Sequence, residues 1–382
     1  MEKSENMSIS VTNTNYNLRL PNDFLIQTFE YLPFDRLACV NRVCKHWNNL
    51  ANSNVLWKHL FEKKFPCLLY KKTPSSWKTL YANLSVTKNH QIICEKTLEN
   101  PGANVTCLAI GENVFAASYL SDSAIYIWDL KGQLLREIKD AHKMWIESLA
   151  IQGNKLISGG LDGFVKVWNL ENGEKLLEKR GYKDSMGPIA IEGDQIVSIE
   201  DRSISLGNLK NDASFSLLCP TQDSVHTGAL ALQGNRAVWG PFNGGECKVK
   251  IYDLAKKTLS FMSPPHHTNA IHCIAIQGDK AFSGSYDGTL KIWDLKTTKC
   301  LHTLSTNSKG EIRVLSVRIQ GNIIVAGYED GTIRIWDLNT QTVLHTLKEH
   351  KKRVESIVIH GDTIVSGGWL GDGSIKIWKI KK

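Results

Sequence analysis

Three sets of residues in this chain are of the types that hydrolases use. Each set contains a histidine, a serine and an aspartate, which in hydrolases act as base, nucleophile and orienting acid, and also a tryptophan. The sets are His142, Ser158, Asp162 and Trp168; His267 (or His266), Ser283, Asp287 and Trp293; and His350, Ser366, Asp372 and Trp378. Because catalysis needs one asymmetric site rather than regular copies, we interpret the sets as hydrogen-bonded networks that hold strands together. We therefore expect no catalytic residues and no enzymatic activity.

The repetition extends over the whole chain after residue 90. Short alternating apolar runs end in Trp-Asp or a related pair about every 40 to 45 residues, a period typical of β-propeller blades. The pairs are Trp128-Asp129, Trp168-Asn169, Gly207-Asn208, Tyr252-Asp253, Trp293-Asp294, Trp336-Asp337 and Trp378-Lys379. Seven pairs predict seven blades, although the third pair lacks an aromatic residue and the fourth blade carries an insert near residues 240–245.

Each repeat predicts four antiparallel strands. Gly-Asn or Gly-Asp follows the first strand and supplies the positive φ angles of a two-residue hairpin loop. The last repeat ends after its third strand, and residues 90–98 match the missing outer strand. We expect this segment to pair with the last blade and close the ring, which removes an exposed sheet edge. The fold class predicted is mainly β, a seven-bladed propeller over residues 90–382, preceded by a small all-α module.

The N-terminal part of the chain has a different pattern. Residues 1–18 are polar and predicted to be disordered, residues 19–66 predict three short helices, and residues 67–89 predict a helical linker. Apolar residues recur within residues 19–66 with a fixed spacing: Leu20, Pro21, Phe24, Leu25, Phe29, Leu32, Leu37, Val40, Val43, Cys44, Trp47 and Trp57. This pattern resembles an F-box, and the repeats resemble WD repeats.

The combined resemblance is to F-box/WD-repeat proteins. It implies that residues 19–66 dock a Skp-type adaptor and, through it, a cullin scaffold, so that the propeller presents a substrate for ubiquitination. The twelve apolar residues above would then be the adaptor-binding residues. The alternative is a WD-repeat scaffold outside the ubiquitin system, in which the helical module is only a cap on the propeller.

A substrate site is predicted at the mouth of the propeller. One residue per blade stands just before the first strand, a position that lines the mouth in WD propellers, and aromatic residues lie beside nearby turns. The candidates are Arg313, Arg353, Trp145, His226, Tyr286, Tyr328 and Trp369. Arginine and aromatic residues dominate many protein interfaces, and two adjacent guanidinium groups suit a carboxylate or phosphate. We expect a peptide degron here; the alternative is that the aromatic residues only wedge blades together.

Charge and composition indicate which classes of partner, cofactor and cellular location to expect. The net charge is +8, most of it in the first 90 residues, so the nearly balanced propeller argues against nucleic acid as a partner. The sequence has no long apolar run or apolar signal segment, and we expect no membrane partner. The nine cysteines form no C-x-x-C pair, so we expect neither a metal site nor a cofactor. A cytoplasmic or nuclear location is predicted, or the host cytoplasm if the source is an intracellular bacterium.

Overall fold

The computed structural model describes residues 91–99, 104–181, 188–200, 203–210, 215–220, 229–242, 247–262, 264, 266–305, 312–369 and 371–381. The predicted disordered segment, the F-box helices with the adaptor-binding residues from Leu20 to Trp57, the linker and His226 all lie outside these residues. Within the described ranges, no helix is long and apolar enough to cross a membrane. All regular structure described is β-strand, arranged as seven four-stranded sheets.

The strands follow the repeats in chain order. The first blade contains β2 (Val105–Ile110), β3 (Val114–Tyr119), β4 (Ile125–Asp129) and β5 (Leu134–Ile138). The second contains β6 (Ile146–Gln152), β7 (Lys155–Gly160), β8 (Phe164–Asn169) and β9 (Lys175–Arg180). The third contains β10 (Ile189–Glu192), β11 (Gln195–Glu200), β12 (Ser203–Asn208) and β13 (Ser216–Pro220). The fourth contains β14 (Leu230–Gln233), β15 (Arg236–Trp239), β16 (Lys250–Asp253) and β17 (Thr258–Phe261).

The last three blades follow the same strand order. The fifth contains β18 (Ile271–Gln277), β19 (Lys280–Ser285), β20 (Thr289–Asp294) and β21 (Cys300–Ser305). The sixth contains β22 (Val314–Gln320), β23 (Ile323–Tyr328), β24 (Ile333–Asp337) and β25 (Val343–Leu347). The seventh contains β26 (Val354–His360), β27 (Thr363–Gly368) and β28 (Ile375–Lys381), with β1 (Gln91–Leu98) as its outer strand. The predicted seven-bladed fold is therefore confirmed.

The ring closes through the pairing of β1 with β28. The two strands are antiparallel, with Gln91 opposite Lys381 and Leu98 opposite Ile375, and one bulge between Cys94 and Lys96. The seventh sheet therefore has four strands: β26, β27 and β28 supply three of them, and β1 supplies the fourth. This arrangement is the one that the sequence predicted for residues 90–98.

The core lies between neighbouring blades rather than within one sheet. Phe282 and Leu290 of the fifth blade pack against Val314 and Trp336 of the sixth, all of them buried. The junction of the seventh and first blades is built in the same way, with Val365 of the seventh in the same cluster as residues of the first. Because both faces of each inner strand meet a neighbouring blade, these strands contain continuous apolar runs.

The three repeated sets form the hydrogen-bonded networks that their spacing predicted. In the fifth blade, Trp293 Nε1 donates to Ser283 Oγ (2.8 Å), Ser283 Oγ contacts His267 Nε2 (2.7 Å), and His267 Nδ1 contacts Asp287 (2.9 Å). The histidine of this set is therefore His267 and not His266. The second and seventh blades repeat the geometry. Burial lowers the pKa of His267, so this histidine is neutral at neutral pH.

The irregular blades fill the same space with other residues. In the third blade, Gly207 stands where a tryptophan is expected, and the ring of the buried Phe215 lies 2.8 Å from the point that a Cβ at Gly207 would occupy. In the fourth blade, the buried Tyr252 takes the tryptophan position. The period therefore survives these substitutions because each blade still buries an aromatic ring near the same place.

We predict that Ser283→Ala destabilises the propeller by about 1–3 kcal/mol, because the buried indole N–H of Trp293 and the ring of His267 both lose a partner. Urea unfolding followed by tryptophan fluorescence measures the change. Ser260→Ala, on an exposed outer strand, is the control and is expected to change stability by less than about 0.5 kcal/mol. Equal effects of the two substitutions would contradict the structural role of the network.

Candidate functional site

Five of the seven predicted mouth residues take part in a backbone contact that recurs within the blades. The residue that follows the second strand of a blade donates its N–H to the carbonyl of the residue that precedes the first strand. The donor and acceptor pairs are Leu120 and Asn104, Leu161 and Trp145, Tyr286 and Ala270, Glu329 and Arg313, and Trp369 and Arg353, at 2.9–3.0 Å. These pairs define one end of the blades, which we call the upper face.

Two stacked pairs dominate this face. The guanidinium carbon of Arg313 lies 4.5 Å from the centre of the Tyr286 ring on the neighbouring blade. The guanidinium carbon of Arg353 lies 5.4 Å from the Trp369 ring within its own blade. Cation–π contacts of this kind hold an arginine side chain over a ring while leaving its N–H groups available for a ligand.

Each arginine also has a carboxylate partner that the sequence analysis missed. Arg313 Nη1 lies 3.3 Å from Glu329 Oε1, and both side chains are nearly half exposed. Arg353 Nε lies 3.2 Å from Glu355 Oε2, whose side chain is almost fully buried. An anionic ligand at this face therefore competes with Glu329 for an exposed guanidinium, whereas Arg353 faces the buried side chain of Glu355.

Tyr286 extends the arginine pairs into an aromatic cluster. Its ring stacks on His272 at 5.1 Å and meets Phe242 of the fourth blade edge-on at 5.6 Å. Burial raises the pKa of Tyr286, so its hydroxyl stays protonated. Phe242, Tyr286 and Arg313 thus form one continuous row across three consecutive blades.

Bulged residues of the innermost strands line a small cavity of about 60 Å³ in the central channel. The register shifts by one residue where the first strand begins, which leaves Thr106, Glu147, His272, Leu315 and Glu355 without a partner in the ladder. All five line the cavity. Bulges of this kind re-aim a side chain, here toward the channel.

Glu355 is a channel residue whose pKa is strongly perturbed. Burial raises its pKa from an ordinary value of 4.5 to about 7, and the attraction of Arg353 only partly offsets this effect. His272 Nδ1 donates to the Leu315 carbonyl (2.8 Å), and its Nε2 lies 3.4 Å from Glu355 Oε1. Since Nδ1 already carries a proton, the contact between His272 and Glu355 is favourable when the pair shares one further proton.

Trp145 supplies an exposed apolar element to the same face. It stands directly before β6, about half exposed, and its neighbour Met144 is exposed to a similar degree. An exposed tryptophan on the same face as arginines is the composition of a protein-binding surface.

The assignment of Tyr328 to the mouth was wrong. Its side chain is 1% exposed, and its hydroxyl accepts a hydrogen bond from Trp336 Nε1 (3.3 Å). Tyr328 pairs with Val314 in the ladder, as Ser285 pairs with Ile271, so Glu329 and not Tyr328 is the counterpart of Tyr286. Because the sixth blade has Ala326 in place of the network serine, the Tyr328 hydroxyl takes over the role of acceptor for the tryptophan.

Comparison of the turns would have revealed Glu329, because it precedes Asp330-Gly331 as Tyr286 precedes Asp287-Gly288. Nothing in the residue pattern indicates that Glu355 and His272 sit at bulges.

Within the ranges described, no group of three or more His, Cys, Asp or Glu residues is placed to hold a metal ion. What the upper face can do chemically is bind a peptide through apolar, cation–π and charged contacts.

These features define a seven-bladed propeller with arginine and aromatic side chains at its upper face. The WD domain, G-beta repeat family matches residues 132–169 and 257–294, and the anaphase-promoting complex subunit 4 WD40 domain family matches residues 291–361. The F-box-like family matches residues 18–63. The chain therefore contains an F-box-like domain followed by WD40 repeats, the composition of an F-box/WD-repeat protein. This composition supports an adaptor-like role.

Two similar proteins and one solved structure match part of this chain. The WD repeat-containing protein pop1 of Schizosaccharomyces pombe is 26% identical over 323 residues, which are 76% of this chain and 41% of that protein. The ribosome biogenesis protein YTM1 of Coccidioides immitis is 22% identical, over 52% of this chain and 63% of that protein. The match thus spans less than two thirds of either relative. The crystal structure of the computationally designed Ika8 protein is 26% identical, with a TM-score of 0.57 over 75% of this chain and 99% of that one.

We predict that Glu355 makes this protein less stable as the pH rises from about 4.5 to about 7. The folded state keeps a proton on Glu355 up to about pH 7, whereas the unfolded chain releases it near 4.5, so stability is lost as pH rises through this window. In the parent protein this decline in the free energy of unfolding amounts to up to about 3 kcal/mol, and Glu355→Gln is expected to remove it. Urea unfolding at several pH values measures it.

Glu329→Gln is the matched control, because it changes an exposed carboxylate on the same face. Its unfolding free energy is expected to follow the parent protein at each pH. Identical pH profiles for Glu355→Gln and the parent would rule out a buried, protonated Glu355.

Proposed function

We propose that this protein is the substrate-recognition adaptor of a Skp/cullin/F-box-type ubiquitin ligase. The observation that carries the proposal is the joint occurrence of an F-box-like domain and an upper face with the row Phe242, Tyr286 and Arg313, the Arg353–Trp369 pair and the exposed Trp145. The F-box-like domain docks the adaptor, and the upper face binds a peptide degron. The protein acts in the cytoplasm or nucleus.

The charges of the upper face favour an acidic or phosphorylated degron. Arg313 is nearly half exposed and is paired only loosely with Glu329 at 3.3 Å, so an incoming carboxylate or phosphate replaces that partner at little cost. The ring of Tyr286 keeps the guanidinium in place during the exchange. Trp145 offers an apolar surface for a neighbouring side chain of the peptide.

The contribution of the protein to ubiquitin transfer is proximity. Holding a substrate on the same assembly as the ubiquitin-charged enzyme raises the effective concentration of the substrate without any chemical step by the propeller. Because the His–Ser–Asp–Trp networks are buried and recur in three blades, they stabilise strands and do not take part in transfer.

Docking of the adaptor is tested with the double substitution Leu20→Asp and Pro21→Asp in the full chain. Each aspartate places a charge on the apolar surface that the F-box-like domain would bury, so we expect at least a tenfold loss of co-purified Skp-type adaptor. Arg313→Ala, remote in sequence from this domain, is the control and is expected to retain the adaptor. Undiminished capture by the double variant would contradict the ligase assignment.

Degron binding is tested by affinity capture on the propeller, with and without phosphatase, followed by titration of the captured peptides. Combined Arg313→Ala and Arg353→Ala substitutions are expected to weaken binding of an acidic peptide by at least tenfold, and Glu329→Gln to strengthen it by freeing Arg313. Arg236→Ala removes another paired arginine, bonded to Asp279 at 3.0 Å, away from the upper face. Equal losses for Arg236→Ala and the double variant would exclude the upper face as the degron site.

The second candidate function is a WD-repeat scaffold in which the helical module only caps the propeller. The names of relatives such as YTM1 favour it, because they describe different roles. It predicts no adaptor binding by the parent protein and unchanged propeller ligands when Trp47 and Trp57 are substituted. The adaptor capture described above therefore separates the two candidates.

A further inference from the structure

The end of the propeller opposite the upper face carries a repeated contact between blades. It is formed by the hairpin turns between the first and second strands of each blade, and we call it the lower face. The side-chain amide at the end of one first strand bonds both the N–H and the C=O of the turn glycine in the next blade. We call this two-bond contact the clasp.

Three junctions contain a complete clasp. Gln277 donates to the Gly321 carbonyl and accepts from the Gly321 N–H, both at 2.9 Å. Gln320 holds Gly361 in the same way, at 2.8 and 2.9 Å. Gln152 holds Gly193 at 2.9 and 3.1 Å, with the amide oriented to satisfy both groups. At the next junction, the Glu192 carboxylate accepts from the Gly234 N–H.

The junction between the first and second blades has no side chain to form a clasp. Gly111 occupies the position of the clasp glutamine. Its N–H donates to the carbonyl of Val114, the first residue of β3, and Gln152 in the second blade likewise lies opposite Lys155, the first residue of β7. The preceding blade has His360 at this position. Among the residues that the structure describes, no hydrogen bond reaches the N–H or C=O of Gly153, the turn glycine that a clasp from the first blade would hold.

A cleft of about 810 Å³ opens at this junction. Gly111, Gly153 and His360 all line it, so the missing side chain and the unheld turn face the same space. Leu135, half exposed, and Leu170 add apolar surface to the cleft, and nothing lies within 4 Å of the point that a Cβ at Gly153 would occupy. The size and mixed polarity are those of a site for one or two side chains of a peptide.

We propose that this cleft binds a segment of a partner protein that presents a glutamine side chain, which completes the clasp on Gly153. The chemistry is that of the three internal clasps: a carboxamide offers one donor and one acceptor in the geometry that the turn requires. A carboxylate matches the N–H but not the C=O, so the carboxamide fits the turn better. The cleft is lined by charges of both signs, Glu112, Glu171 and Arg136, and its charge does not select an anion. This site is independent of the degron site, because it lies at the other end of the blades.

The test uses the full chain with ¹⁵N-labelled glycine and the peptide acetyl-Leu-Gln-Leu-amide, whose leucines meet the apolar lining. Titration to about 10 mM is expected to shift the amide resonance of Gly153, since two hydrogen bonds and a small apolar contact support millimolar affinity. The same peptide with Glu or Met in place of Gln is expected to bind at least tenfold more weakly.

Two substitutions at one position separate amide recognition from simple filling of the cleft. Gly111→Gln supplies the clasp from within the chain, so it is expected to shift Gly153 without peptide and to abolish the response to peptide. Gly111→Ala adds a Cβ that makes the same contact with Ile151, at 2.8 Å, but it supplies no amide. This variant is expected to keep the shift of Gly153 on addition of peptide. If Gly111→Gln does not fold, the peptide series on the parent protein still decides the question.

Three results would overturn the proposal. The first is an unchanged Gly153 resonance at the highest peptide concentration. The second is an equal response to the Gln and Met peptides, which would show an apolar cleft without amide recognition. The third is a Gly153 amide already protected from solvent exchange in the parent protein without peptide, which would show that another part of the same chain holds this turn.

Discussion

The pairing of β1 with β28 is the interaction on which the rest of the described structure depends. A row of four-stranded sheets packs its blades face to face, so each end of an open row would expose an apolar face and an unpaired strand edge. Closure gives every blade two neighbours and buries the clusters that join the seventh and first blades. It also fixes the innermost strands around one channel. The upper and lower faces exist as rings of equivalent positions only because the circle is complete.

Equivalent positions do not carry equivalent chemistry, and the differences mark the two binding surfaces. On the upper face, the backbone bond between Glu329 and Arg313 repeats in four other blades, but among the described residues only the fifth to seventh blades place arginines over aromatic rings there. On the lower face, three junctions form the complete clasp, whereas Gly111 has no side chain with which to form one. In both cases the regular contact positions the backbone, and the departure from regularity leaves groups available to a ligand.

The sequence predicted most of the fold, because its signals are local. Strand alternation, turn glycines and the Trp-Asp period gave seven blades, the closing strand and the three side-chain networks, all of which the structure contains. The candidate site was predicted less well. Tyr328 was placed at the mouth because it lies near the same turn as Tyr286, yet a shift of one residue along a strand sends a side chain to the opposite face. Its burial against Trp336 follows from that shift and from the serine-to-alanine change at Ala326.

The sequence by itself determined what depends on neighbouring residues: the strand period, the positive φ of turn glycines such as Gly278 at 61° and Gly321 at 62°, and the spacing of histidine, serine and aspartate. Only the tertiary structure decided which groups meet across blades. Glu355 reaches Arg353 and His272 because a bulge turns it into the channel. Gly153 of the second blade lies open because Gly111 of the first blade, which occupies the clasp position, has no side chain. Burial and charge pairing at such points are set by residues far apart in the chain, so their energies cannot be read from either segment alone.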